Sequence, residues 1–174
     1  TTLGVATGAT DNVSGSSISA SGELGNERQT PKETMTGADL LVQLLKAHGV
    51  PFVSTLCGNG LDPFYVACQR YGLPLVDVRN EQAAGYMAEV TGRLSRRVGV
   101  CAASSGVAHI NAMTGVVNAY FDGAPMLLIT GSSPFATMGL EHFQDLDHVA
   151  LAAPVCKYAR TIDSAERIPH FIHE

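Results

Sequence analysis

Apolar residues recur along this chain at two spacings, and the two alternate. Short runs of strand length occupy residues 52–56, 75–78, 98–102 and 126–130, while helical periodicity marks about 61–71, 80–95 and 108–121 between them. Ahead of the first run, Thr36-Gly37-Ala38-Asp39 reads as a capping box before Leu40, Leu41, Leu44 and Leu45. The helix it opens is predicted to end at His48-Gly49. Such alternation predicts an α/β fold: a doubly wound parallel sheet with helices on both faces, joined by right-handed crossovers. In that architecture ligands sit at the carboxyl ends of the strands. Attention therefore falls on the turns at Cys57-Gly58-Asn59-Gly60, Arg79-Asn80-Glu81, Ser104-Ser105-Gly106 and Gly131-Ser132-Ser133.

Residues 1–34 are rich in Thr, Ser, Gly and Ala with almost no large apolar side chains. They bury too little to offset their ordering entropy and are predicted to be a flexible leader, with residues 35–174 forming one domain. A helical pattern starting near Ser164 runs to His173-Glu174. It leads to the expectation that the chain is a piece of a longer polypeptide or one subunit of a split enzyme.

Composition narrows the partners. Charged residues make up 16% of the 174 residues and hydrophobic ones 45%, which suits a covered sheet with part of its surface against another domain. A formal net charge of −5 without a dense Lys/Arg run excludes an electrostatic nucleic-acid or anionic-membrane binder. No apolar stretch approaches the roughly 20 residues that span a bilayer. Cys57, Cys68, Cys101 and Cys156 are too scattered for a C-x-x-C pair and read as buried thiols, so a reducing, cytoplasmic compartment is expected. The six histidines include no H-E-x-x-H arrangement, and no metal ligand is assigned. Neither a P-loop nor a full G-x-G-x-x-G is present.

Two segments offer chemistry. Glu81 follows a strand and opens a helix, a position the helix dipole alone accounts for. The Ser104-Ser105-Gly106 turn lets backbone N–H groups approach a ligand, although such turns are common without one. Position by itself leaves both readings open.

Taken together, the segments carry more. Val78-Arg79-Asn80-Glu81-Gln82-Ala83-Ala84, Val98-Gly99-Val100-Cys101, Ser105-Gly106, Asn111, Thr114-Gly115, Asn118-Ala119-Tyr120, Asp122, Pro125, Ile129-Thr130-Gly131, Phe143-Gln144 and Asp147 occur in one order and spacing. That order resembles the N-terminal, pyrimidine-binding domain of the acetolactate synthase-like thiamin-diphosphate enzymes, a family that includes benzaldehyde lyase, oxalyl-CoA decarboxylase and 2-hydroxyacyl-CoA lyase. The resemblance covers about residues 36–170. It implies that Glu81 is the glutamate that protonates the cofactor's aminopyrimidine ring. It further implies that Cys57, Gly58, Ser104, Val107 and Asn111 lie along the pyrimidine and that Gln144 lies near the substrate. Departures accompany it: Cys57 stands where a proline is usual, Asn80 and Tyr86 each replace a histidine, Val90-Thr91 replaces Gly-Tyr and Val107-Ala108 replaces Pro-Gly.

The family holds the diphosphate and its Mg2+ through a second domain with a Gly-Asp-Gly segment, and none occurs here. The resemblance therefore implies a diphosphate-binding domain in the rest of a longer polypeptide or in a partner subunit, and a homodimer or tetramer. It also implies a 2-oxo acid substrate, with acetolactate formation from pyruvate as the leading activity. It leaves open whether FAD binds. The alternative is a non-catalytic relative of the same fold that serves assembly or regulation.

Overall fold

The computed structural model describes Thr2–Thr7, as backbone, and residues 35–174. Its elements in chain order are β1 (Thr2–Thr7), α1 (Gly37–Ala47), β2 (Val53–Leu56), α2 (Asp62–Tyr71), β3 (Leu75–Asp77), α3 (Glu81–Ser95), β4 (Gly99–Ala103), α4 (Val107–Asp122), β5 (Met126–Gly131), α5 (His148–Ala152), β6 (Tyr158–Ile162) and α6 (Ile168–His173). The strands form one sheet in the order β3-β2-β4-β5-β1-β6, and every pair is parallel. The predicted α/β class and parallel sheet are observed, and the predicted strands and helices appear with ends shifted by a residue or so, except the last, where Ala165–Arg167 forms a 3-10 turn and the α-helix starts at Ile168.

Alternate residues of the central strands face opposite helical layers, as the pleat requires. Val100, Ala102, Leu127 and Ile129 join Leu41, Leu45, Phe64, Ile168 and Phe171 in one core beneath α1, α2 and α6. Their neighbours Cys101, Ala103, Met126 and Leu128 join Ala84, Ala88, Ala112, Val116 and Ala119 in a second core beneath α3 and α4. On the first face, α1 opens with the predicted capping box: Thr36 Oγ1 accepts from the Asp39 N–H, and the Asp39 side chain accepts from the Thr36 N–H. On the second face the backbones of α3 and α4 touch. A Cβ placed on Gly115 would lie 2.2 Å from the carbonyl carbon of Gly85, so only glycine permits this approach. Lower on α3, buried Glu89 accepts from Arg93 Nε at 2.8 Å, and Arg93 also reaches Asp122 of α4 at 3.7 Å.

The chain's start differs from the expected leader. Thr2–Thr7 is a strand, in register with Met126–Gly131 on one side and with Tyr158–Ile162 through Leu3–Thr7 on the other. A strand between two others is held by main-chain hydrogen bonds along both edges, a source of order that a count of large apolar side chains does not register. Residues 8–34 of that expected leader lie outside the described residues. Elements α5 and β6 also go beyond the predicted set. α5 is only five residues long, and β6 buries just Ala159 and Ile162 of its five, so neither presents a full period of apolar positions.

Candidate functional site

The four turns singled out by the alternating pattern lie at the carboxyl ends of β2, β3, β4 and β5, and β2, β4 and β5 are consecutive neighbours in the sheet. Glu81 is the first residue of α3. The strand-to-helix reversal before it is shaped by Asn80, whose backbone is extended and whose Oδ1 accepts from the Gln82 N–H at 2.8 Å. Below it the helix is pinned to the sheet: Ser54 Oγ of β2 lies 2.7 Å from the Ala84 carbonyl and 3.1 Å from that of Val100. Glu81 is half-buried, and its Oε2 accepts from Asn111 Nδ2 at 3.0 Å. Helices α3 and α4 thus meet through a carboxylate–amide pair at the ligand end and through Gly85 and Gly115 one turn further along.

The turn after β4 is buried and tightly linked. Ser104 Oγ donates to the Asn59 carbonyl at 2.8 Å, and a Cβ on Gly58 would meet Ser104 Cβ at 2.6 Å, so the turns after β2 and β4 are in contact. Ser105 Oγ donates to Gln144 Oε1 at 3.1 Å. Gly106, the N-cap of α4, has φ 61° and ψ −116°, and its N–H donates to His148 Nε2 at 2.8 Å. His148 in turn packs against His109, with ring centroids 4.5 Å apart.

Of the residues predicted for the site, the structure joins Gly58 to Ser104 by contact and Glu81 to Asn111 by a hydrogen bond, and brings Gln144 onto Ser105. Cys57 is exposed on the turn after β2 and Cys156 only partly covered, so the expectation of four buried thiols holds for Cys68 and Cys101 alone; residual desolvation, then the carboxylates of Asp77 and Asp62, raise the Cys57 thiol above the usual value. Val107 is 61% exposed in the first turn of α4. Ser105 and Gly106 entered the sequence reading only as part of a turn, and the contact of that turn with His148 was not predicted. The Ser104-Ser105-Gly106 turn was visible in the sequence, but nothing local ties Gly106 to a histidine 42 positions away.

Burial acts on both members of the histidine pair in the same direction. Burial, followed by the neighbouring His148, lowers the His109 pKa to about 4, and neither of its ring nitrogens has a partner among the described residues. Burial also lowers the His148 pKa, against the opposing charges of Asp147 and Asp145. Beneath the site, burial and then the Glu81 charge push the Cys101 thiol up to about 12, so it stays protonated.

The polar groups suit an aminopyrimidine: carbonyl and carboxylate oxygens can accept from its exocyclic amine, and a protonated Glu81 carboxyl can donate to a ring nitrogen. Such a ring offers nitrogen acceptors and an exocyclic amine, and the site offers one orientable carboxyl group, a carbonyl at Asn59 and small residues on both flanking turns. Among the described residues no group of three or more His, Cys, Asp or Glu side chains could hold a metal ion. No helix of the described residues is long and apolar enough to cross a membrane.

Proteins of known family share much of this sequence. The chain is 37% identical over 142 residues to 2-hydroxyacyl-CoA lyase 2 of Danio rerio, an overlap of 82% of this chain and 22% of that protein. It is 35% identical over 136 residues to the acetolactate synthase large subunit IlvG of Mycobacterium tuberculosis, covering 78% of this chain and 25% of that one. With 2-hydroxyacyl-CoA lyase 2 of Caenorhabditis elegans it shares 34% over 143 residues, again 82% and 22%. The chain spans about a fifth to a quarter of the length of these curated relatives. Residues 35–151 match the family described as "Thiamine pyrophosphate enzyme, N-terminal TPP binding domain", and the chain belongs to that family.

Proposed function

We propose that this chain binds the aminopyrimidine of thiamin diphosphate and that Glu81 exchanges a proton with the pyrimidine ring nitrogen. The observation that carries the reading is the Glu81–Asn111 pair: a half-buried carboxyl group at the carboxyl end of β3, with Oε2 anchored by an amide across the α3–α4 contact. Anchoring one oxygen orients the other and spares the side chain a search among rotamers when the ring arrives. Across from it, Ser104 packs against Gly58, and the adjoining Ser105 and Gly106 are buried.

Bound there, thiamin diphosphate supplies a nucleophilic carbon and an electron sink for cleaving or forming the bond beside a carbonyl. The chain's own residues bind and orient the ring and hold or release a proton at Glu81. Gln144, joined to Ser105, is assigned in this reading to the substrate end. Our reading of the whole protein is a 2-oxo acid decarboxylase or carboligase of the acetolactate synthase kind. A thiamin-diphosphate lyase acting on a 2-hydroxyacyl-CoA is the second reading, favoured by the 37% identity to 2-hydroxyacyl-CoA lyase 2. In either case a diphosphate-binding domain with its Mg2+ completes the site, from the rest of a longer polypeptide or from a partner subunit. The exposed Val107, Ile110 and Phe143 at the site's edge are apolar surface suited to that contact.

The test is Glu81→Gln in the full-length protein. Proton exchange at the cofactor's thiazolium carbon should fall by at least about a hundredfold while circular dichroism and thermal midpoint stay near those of the parent. Exchange unchanged by the substitution would refute the role of Glu81. Turnover of pyruvate against turnover of a 2-hydroxyacyl-CoA separates the two activities.

A further inference from the structure

Two histidines outside the proposed chemistry meet behind the Ser104–Gly106 turn. His109 is the third residue of α4 and His148 the first of α5, and they are 3% and 5% exposed. A buried imidazole that accepts a hydrogen bond through Nε2 must carry its proton on Nδ1. The 2.8 Å bond from the Gly106 N–H therefore assigns His148 the Nδ1–H tautomer. That bond occupies a special place. Gly106 is the N-cap of α4, its φ of 61° is open to glycine, and α4 has no side-chain cap of its own.

The segment between β5 and α5 depends on this junction. Hydrogen bonds within residues 134–145 close local turns: Thr137 to Pro134, Leu140 to Thr137, Asp145 to His142. Gln144 itself is held at φ 61°, a left-handed conformation that a side chain rarely adopts unless its surroundings impose it. The surroundings are Gly106, where a Cβ would come within 2.7 Å of Gln144 Cβ, and the Ser105 hydroxyl. Two adjacent links, Ser105 to Gln144 and Gly106 to His148, thus clamp the segment onto the start of α4. Asn111, one turn further along the same helix, holds Glu81.

We infer that His148 is a positioning residue: by accepting from the Gly106 N–H it sets Gln144 against the Ser105–Gly106 turn and so shapes the substrate end of the site. This rests on the reading that the turn and Gln144 line that site. His109 serves the clamp by filling the space against the His148 ring without competing for the Gly106 N–H. The groups that act on His148 electrostatically are His109 from α4, Asp147 at its own helix cap and Asp145 in the preceding turn.

The experiment uses the full-length protein and two substitutions. His148→Phe keeps the ring and removes the acceptor; His148→Gln restores an acceptor oxygen. Nitrogen-15 histidine spectra without cofactor should show His148 as the Nδ1–H tautomer at neutral pH. Amide exchange at Gly106 and residues 144–147 should accelerate in His148→Phe and recover in His148→Gln. With pyruvate as the probe substrate, His148→Phe should raise KM about tenfold, the weight of one hydrogen bond. Thiazolium proton exchange, which reports Glu81, should stay within about twofold of the parent, and His148→Gln should recover most of the KM.

An Nε2–H tautomer, an unchanged KM, or an equal fall in thiazolium exchange and turnover overturns the inference, the last because it would mark a general structural loss. If His148→Phe does not fold, the tautomer and the His148→Gln kinetics decide. If the parent protein shows no thiazolium exchange, the functional reading has failed, and the tautomer and amide exchange still decide whether the clamp exists.

Discussion

The two faces of the sheet are built on different principles. Beneath α1, α2 and α6 the core is made of large side chains: Leu41, Leu45, Phe64, Ile168 and Phe171 fill the space between helix and strand. Beneath α3 and α4 it is made largely of alanine, and at Gly85 and Gly115 the helices meet backbone to backbone. Large side chains hold layers together and adapt to a changed neighbour through rotamers. Backbone contact has no such freedom, and it occurs in the two helices that carry Glu81 and Asn111. The face that orients the proposed chemistry has the least slack; the other supplies apolar burial.

The comparison can be broken most severely at Gly115. A methyl group there has only the Gly85 backbone to displace, so Gly115→Ala is expected to cost about 4 kcal/mol or more, or to prevent folding. Where it folds, thiamin-diphosphate affinity should fall as Asn111 moves away from Glu81; calorimetry and a denaturant titration of the full-length protein read both. Leu45→Ala on the opposite face should cost about 3 kcal/mol through lost burial and a cavity. It should nevertheless leave cofactor affinity within about twofold in the same calorimetry, and a large drop would mean that the two faces are not separable.

A finer probe is His109, which belongs to the alanine-rich face. Its folded-state pKa of about 4 lies below the ordinary 6.5, so the unfolded chain takes up a proton that the fold refuses. The stability this residue contributes is complete above pH 6.5 and is lost as pH falls from 6.5 toward about 4, by about 3 kcal/mol in all. His109→Leu removes two nitrogens that lack partners among the described residues and should change stability at neutral pH by at most about 1 kcal/mol. Denaturant midpoints at neutral and mildly acid pH should then show a shallower acid loss than in the parent.

Much of this was legible beforehand for a physical reason. The capping box at Thr36 and Asp39 lies within four consecutive residues, and the strand and helix periods lie within a dozen, so nearby positions carry the information. Glu81 and Asn111 became site candidates through the order of many segments, since a carboxylate at a helix start is ordinary taken alone. The strand at Thr2–Thr7 was not legible, because its place between β5 and β6 is a property of main-chain pairing. His148 was equally hidden. It appeared in the sequence as one of six scattered histidines, and only the meeting of α4 with α5 gives it a partner.

By itself, then, the sequence determined the alternation of strands and helices, the two-faced parallel sheet and the turns where chemistry could sit, because side-chain period and turn preference act over a few residues. Which turns meet was decided by tertiary structure alone. Ser104 reaches Asn59 across 45 positions, Gly106 reaches His148 across 42 and Asn111 reaches Glu81 across 30. Each contact depends on which strands lie side by side and how closely α3 approaches α4. A hydrogen bond responds to tenths of an ångström in those distances, and no local pattern along the chain encodes them.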